Sequence, residues 1–346
     1  PRLLVKCQIT RGKYAEAKES YETAIKRYPT SLTMRMYGLE VLRLNDLPEE
    51  AREAKQQIFR LLQSSPSRFA SRDNLVAAGR YFAMHGEDAR QILELFYDRV
   101  RNADPRHLEA YIATAELALS KGDFKVAADT LQQAMKIDES DPRVPFLLAR
   151  AWESSDSEKA NAALQRALEL NSTHVPSLLY QADAAIDREQ YDAAEQIIGK
   201  VQSINPLEQE ASALLAVIAH LRGDYDKEKS MRKSALSTWG NNPRVDHLIG
   251  MKLSQKYRFE EGAEYQRKAL ELDPDYAPAS FQLAQDLLRL GHEKVGWKLA
   301  QDVSEEDKYN VVAHNLITLY DRIKGFRILS ADGIQVRMES REASIY

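Results

Sequence analysis

The sequence predicts an all-α, right-handed superhelix of about nine stacked helical hairpins, capped by one further helix within residues 1–325 and followed by a short C-terminal β-hairpin in residues 326–346. Three observations predict it. A segment running turn, aromatic, Ala, Ala, Pro, seen as GKYAEAKESYETAIKRYP from Gly12, recurs along the chain. Its turn positions, Gly12, Asn45, Gly86, Gly122, Ser155, Glu189, Gly223, Tyr257 and Gly291, are spaced 33, 41, 36, 33, 34, 34, 34 and 34 residues apart. A fixed period of this length marks a unit that cannot bury its apolar face alone and must stack on its neighbours. The third observation is a hydrophobic content of 44%, enough to keep such a core continuous.

Each residue type in the frame has a physical role. Gly at the turn permits the positive φ that ends the first helix. The aromatic two residues later (Tyr14, Phe124, Tyr191, Tyr225, Phe259) is expected to pack where the second helix begins. Small residues five and twelve positions after the turn (Ala17, Ala127, Ala160, Ala194, Gly262, Gly296; Ala24, Ala134, Ala167, Ala235, Ala269) let helices approach closely. Pro29, Pro206 and Pro274 stop the second helix, because Pro lacks the amide donor and restricts the residue before it. On this frame the chain resembles the tetratricopeptide repeat (TPR) family across roughly residues 1–308.

Departures concentrate between residues 31 and 107. Hairpin two has a long second helix within LPEEAREAKQQIFRLLQSSP, and hairpin three carries Asp88, Gln91 and Asp98 where the aromatic and small residues belong. After hairpin nine, NVVAHNLITLYDRIKG reads as a helix covering the end of the stack. FRILSADGIQVRM alternates apolar and polar residues around Asp332–Gly333, a preferred pair for a tight hairpin turn, and Ser340 is a candidate N-cap for a closing helix.

Composition excludes several function classes. Lys+Arg 48 against Asp+Glu 52 gives no general attraction to nucleic acid or an acidic membrane. One cysteine, Cys7, excludes an internal disulfide framework and multi-cysteine metal sites. No apolar run approaches the ~18–20 residues that span a bilayer, so these residues read as soluble, the cytoplasm being the preferred compartment and any upstream leader lying out of view. No two of the seven histidines stand four residues apart as HExxH requires, and GxxxxGK[ST], GxGxxG and GxSxG are absent. No catalytic residue, metal ligand or cofactor is assigned.

The remaining candidate is the concave groove lined by the first helix of each hairpin. Counting repeats from fourteen residues before the turn, groove positions are the second, fifth, ninth, twelfth and thirteenth. Hairpins four to six then contribute Glu109, Glu116, Glu153, Asp183 and Asp187 among Ile112, Trp152, Leu179 and Ile186. Arg35, Arg43 and Arg80 flank them on one side, and Arg244, His247, Met251, Phe281 and Arg289 on the other. A groove acidic at its centre suits an extended protein or peptide partner with basic and apolar side chains, and argues against nucleic acid. The competing reading is that these charges only keep the face solvated, with Trp152 in the core. The Lys and Asn carboxylate clamp of the repeats that grip acidic chaperone C-termini is missing from the fifth and ninth positions, which read Arg35/Leu39, Ile112/Glu116 and Leu179/Asp183 in hairpins two, four and six.

The segment DRIKGFRILSADGIQVRMESREASIY, Asp321 to Tyr346, resembles the junction in bacterial proteins where repeats enter a peptidase MA-like, gluzincin-type domain, and residues 91–124 resemble the repeats of those proteins. That resemblance implies a zinc peptidase whose catalytic residues lie beyond this chain. The primary expectation is a protein-interaction scaffold; the alternative is the repeat arm of such a metallopeptidase.

Overall fold

The computed structural model describes residues 1–64 and 66–345; Ser65 and Tyr346, which belong to the long-helix stretch and to the C-terminal pattern, lie outside the described residues. The described residues form nine helical hairpins and a final helix. The hairpins pair Arg2–Thr10 with Tyr14–Arg27, Leu32–Leu44 with Pro48–Ser64, Arg72–Ala83 with residues 89–103, and Leu108–Ser120 with Phe124–Ile137. Hairpins five to nine pair Arg143–Trp152 with Ser157–Leu170, Val175–Asp187 with Tyr191–Ile204, Gln209–Leu221 with Tyr225–Ala235, Pro243–Gln255 with Phe259–Leu272, and Ala277–Arg289 with Glu293–Glu306. Val311–Ile323 packs on hairpin nine, where Trp297 and Tyr320 rings lie 4.7 Å apart.

The frame explains the boundaries. Seven of the nine second helices begin two residues after the assigned turn, and three of them are capped by an Asp at the intervening position. Asp123, Asp156 and Asp224 accept from the backbone N–H of Val126, Lys159 and Lys227 at 3.1, 3.0 and 3.1 Å, satisfying a donor the helix leaves orphaned. Small frame residues sit at the helix crossings: Ala17, Ala127, Ala134, Ala167, Ala194, Ala235 and Ala269 are fully buried. The aromatic position is less uniform than the frame predicts. Tyr14 is buried, with its hydroxyl bonded to the loop after hairpin six, whereas Phe124 and Tyr225 are 39% and 51% exposed.

Two turns differ from the frame. In hairpin two the left-handed residue is Asp46 (φ 53°), one beyond the expected Asn45. In hairpin five no residue near Ser155 has positive φ; the first helix stops at Trp152 after 10 residues, where most first helices run to 13, and the Ser155 and Asp156 amides donate back to Trp152 O. Hairpin three differs in its second helix, which contains a π-turn at Leu93–Tyr97. The π-turn rotates the helix so that Ile92, Tyr97 and Val100, none of them frame positions, fill the core.

The C-terminal hairpin forms as predicted, with Arg327–Ala331 and Ile334–Met338 antiparallel and Ala331 opposite Ile334. Asp332 and Gly333 take φ of 50° and 81°, the left-handed pair a two-residue turn demands. The closing helix reduces to a 3-10 turn at Glu342–Ser344, and the Ser340 hydroxyl reaches Gly325 O instead of capping it.

The superhelix coils tightly enough to touch itself. The turn of hairpin one meets the loop after hairpin six: Asn205 Nδ2 donates to Tyr14 Oη at 3.2 Å and Tyr14 Oη to Leu207 O at 3.3 Å. The turn of hairpin two meets the loop after hairpin seven, where Gly240 N donates to Asp46 Oδ1 at 2.9 Å and the Arg43 guanidinium stacks 5.2 Å from the Trp239 ring. The turn of hairpin four meets the loop after hairpin nine through Lys121 Nζ and Asp307 Oδ2 at 2.7 Å, with Val311 N donating to Lys121 O at 2.8 Å. The offset is five hairpins in each case. Gly12 and Gly122 serve both geometry and approach: a Cβ would stand 2.2 Å from Asn205 Oδ1 at the first and 2.9 Å from Val312 Cγ2 at the second. Coil-on-coil contact curls the groove into a lumen that remains open to solvent.

Candidate interaction groove

The lumen is lined by first helices, as the frame requires, but the predicted residues divide into three groups. Ile112, Leu179 and Ile186 are 0%, 4% and 1% exposed and belong to the stack's core, so they offer no surface to a partner. Trp152, Met251 and Phe281 are half-buried, Trp152 against the core of hairpins four and five. The charged members remain accessible, and most of them are already engaged.

Glu109 and Glu116 share Arg80, at 3.2 and 3.0 Å, and Glu109 also takes Arg143 at 2.6 Å. Burial works to raise the Glu109 carboxyl, and Arg143 and Arg80 together outweigh it and hold it below its ordinary value. Asp183 and Asp187 converge on Lys252, whose Nζ lies 2.7 and 2.8 Å from the two Asp183 oxygens and 2.7 Å from Asp187 Oδ1. Lys252 itself is 2% exposed, its aliphatic stem running through the core of hairpin eight to deliver the ammonium. Burial of Asp183 outweighs even this partner, and its carboxyl is pushed up. Glu109, Glu116, Asp183 and Asp187 are therefore neutralised from within, by cations one or two hairpins away.

Glu153 is exposed at the C-terminal end of the short helix of hairpin five, near Tyr180, whose hydroxyl pKa is raised first by burial and then by the Glu153 charge. His247 Nδ1 lies 2.8 Å from Gln266 Oε1 and its ring meets Tyr276 edge-on; burial pushes its pKa down, so it serves as a neutral hydrogen-bonding ring. Among the flanking arginines, Arg35 donates to Pro29 O at 2.8 Å and Arg289 stacks 5.1 Å from the Phe259 ring.

Free charge lies elsewhere in the lumen. Glu40 of hairpin two and Glu208 and Glu210 at the start of hairpin seven face the same space as Arg43, Arg150, Arg244 and Lys6. Among the described residues, no ion pair within 4 Å engages Glu40, Glu208, Glu210, Arg150 or Arg244, although Asn205 donates to Glu208 at 3.0 Å. Glu40 and Glu210 are open to solvent and Glu208 is half-buried, yet the protein packed around all three raises their carboxyls through desolvation. Glu210 is pushed up to about 7, first by desolvation and then by Glu208 and Asp183. Glu40 is raised by the same desolvation against the opposing pull of Arg244 and Arg43.

Sequence reasoning passed over this cluster for an identifiable reason. Moving the turn of hairpin two from Asn45 to Asp46 shifts its groove positions by one residue, which exchanges the buried Leu39 for Glu40 at the ninth position. Glu210 and Arg244 already hold the second positions of hairpins seven and eight. Their convergence with Glu40 depends on the coil closing over five hairpins, which no local pattern encodes.

Among the described residues no three His, Cys, Asp or Glu side chains come together as a metal-holding group, and no helix is long and apolar enough to cross a membrane. Family models described as tetratricopeptide repeats match residues 3–31, 87–142, 150–201 and 247–276. A peroxisomal targeting signal receptor of Saccharomyces cerevisiae is 20% identical over 244 residues, covering 66% of this chain and 40% of the receptor, so the chain spans less than half of that relative's length. The crystal structure of the APC/C hetero-tetramer Cut9-Hcn1 superposes with a TM-score of 0.52 at 12% identity over 88% of this chain and 58% of that one, a likeness of fold alone.

Proposed function

From the premise that this chain is built of tetratricopeptide repeats, we propose that it is a protein-interaction scaffold that holds an extended peptide or protein segment inside the lumen of its superhelix. One observation carries the reading. Glu40 and Glu210, exposed, and Glu208, half-buried, face the lumen without ion-pair partners among the described residues and have carboxyls raised by the surrounding protein, while Glu109, Glu116, Asp183 and Asp187 are neutralised internally. A carboxylate raised by desolvation gains from an incoming cation what water no longer supplies. The fitting occupant is a segment that places Lys or Arg side chains against these carboxylates and apolar side chains against Trp152, Met251 and Phe281. The relative's name makes it a receptor for a peroxisomal targeting signal, which is compatible with this use of the fold.

The test is a peptide array of extended segments with and without Lys and Arg, followed by fluorescence anisotropy on the best binders. Glu40→Lys/Glu210→Lys should weaken binding of basic peptides by at least about tenfold, the effect of removing one charge-assisted contact, while Glu169→Lys on an outer helix leaves it unchanged. Equal binding by all three proteins would remove the lumen from consideration.

The second reading, a repeat arm of a zinc metallopeptidase, is favoured by one observation, the tight hairpin at Asp332–Gly333 in the segment that resembles the peptidase junction. Chelator-sensitive proteolysis by a longer protein containing this chain would support it, and its absence with zinc supplied would count against it.

A further inference from the structure

The stack has one loose joint. Most neighbouring hairpins are tied by charge or buried hydrogen bonds: Arg80 and Arg143 link hairpins three, four and five through Glu109, Arg222 and Lys227 link seven to six through Glu195, and Arg232 links seven to eight through Asp246. Among the described residues no ion pair joins hairpin five to hairpin six. The apolar core also divides there. One cluster runs from Tyr111 to Leu164 and another begins at Val175, with Leu168 at the edge of both and Tyr180 resting on the first. An open cleft of about 620 Å³, lined by Leu164, Leu168, Tyr180, Ala184 and Arg188 among others, occupies the gap. Its walls are the second helix of hairpin five and the first helix of hairpin six.

The three coil-on-coil contacts all span this joint. They tie hairpin one to six, two to seven, and four to the end of nine. The joints common to all three paths are four–five and five–six, and only the second lacks an ion pair and a shared core. We infer that the chain is a hinged clasp: hairpins one to five and hairpins six to nine with the final helix are two stiff arms that rotate about the five–six joint, and the seam contacts of Tyr14, Asp46, Lys121 and Trp239 are the latch that closes the coil around the lumen. This inference concerns how the lumen opens and does not depend on what occupies it. Gly12 and Gly122 are fitted to the latch, since they stand where the coils meet, whereas Gly223 and Gly291 have the same positive φ with no atom within 4 Å of a Cβ.

That contrast supplies the test. Spin labels at Glu53 and Lys229, in a Cys7→Ser background, report the distance across the seam; pairs at Glu53 and Lys125 and at Lys229 and Lys298 report distances within each arm. Gly12→Ala/Gly122→Ala should lengthen and broaden the seam distance and leave both within-arm distances unchanged. Gly223→Ala/Gly291→Ala, which carries the same backbone strain, should leave all three as in the parent. If the first variant fails to fold, Lys121→Met/Trp239→Ala removes latch contacts without backbone strain and should give the same shift. An unchanged seam distance in a folded latch variant, or within-arm distances that move with it, overturns the inference.

Discussion

The seven–eight joint and the five–six joint are made from the same repeat, yet they are held by different forces. At the first, Arg232 makes a two-pronged pair with Asp246 at 2.5 and 2.6 Å, and Asp246 is fully buried. Beside it His220 presents its two ring nitrogens to Glu228 and Glu261 at 2.9 and 2.6 Å, while the Tyr265 hydroxyl donates to Glu228. At the second, apolar contact centres on Leu168 and on the edge of Phe146 against His174 and Tyr180. A solenoid distributes stability as a sum of neighbour terms, so one weak term localises motion instead of lowering the stability of the whole evenly. The difference teaches where this array can bend.

The largest expected effect breaks the strong joint. Arg232→Ala leaves the Asp246 carboxylate buried without its partner and should cost about 3–5 kcal/mol. Tyr180→Phe, the corresponding polar loss at the weak joint, removes a hydroxyl that makes no hydrogen bond within 3.5 Å among the described residues and should cost no more than about 0.5 kcal/mol. Hydrogen exchange resolved by segment checks both: Arg232→Ala should expose amides of hairpins seven and eight together, and Tyr180→Phe should affect only the amides lining the cleft. Similar, local effects of the two substitutions would erase the distinction between the joints.

A smaller effect sharpens the comparison through pH. Glu210, on the strong side, faces Arg150 from the weak side across the lumen, and burial pushes its carboxyl up from 4.5 to about 7. A carboxyl raised on folding favours the folded state fully below about pH 4.5, and that contribution is lost as pH rises through about 7. Glu210→Gln should therefore raise the melting temperature at pH 8 and leave it nearly unchanged at pH 4. An equal shift at both values would mean that the surrounding protein does not desolvate Glu210.

Much of this fold is legible in the sequence because its determinants are local. The period, the Asp caps, the small residues at helix crossings and the Asp332–Gly333 turn each act within one hairpin. The one-residue shift at Asp46 and the π-turn at Leu93–Tyr97 escape because propensity does not choose between Asn45 and Asp46 for the left-handed position, and because a π-turn is dictated by seating Tyr97 against Gly79, outside the hairpin's own frame. The candidate site is less legible still. That Lys252 neutralises Asp183 and Asp187 follows from a buried stem two hairpins away, and that Glu40 meets Arg244 follows from coil closure over about two hundred residues. Both depend on tertiary placement that no window of the chain contains.

The smallest effect tests the hairpin turns on the two sides of the comparison. Tyr257 ends the first helix of hairpin eight at φ 62° with its side chain 80% exposed, so it bears the steric cost of the left-handed region with little packing in return. Tyr257→Gly should stabilise by about 0.5–1 kcal/mol. Ser155, at the same frame position in hairpin five, is not left-handed, so Ser155→Gly enlarges the unfolded ensemble and removes the long hydroxyl bond to Trp152 O, and should destabilise by about 1 kcal/mol. Urea midpoints of the two variants should move in opposite directions from the parent. If both move the same way, the turn of hairpin five shares the geometry of the others, and the turns do not separate the two sides of the comparison.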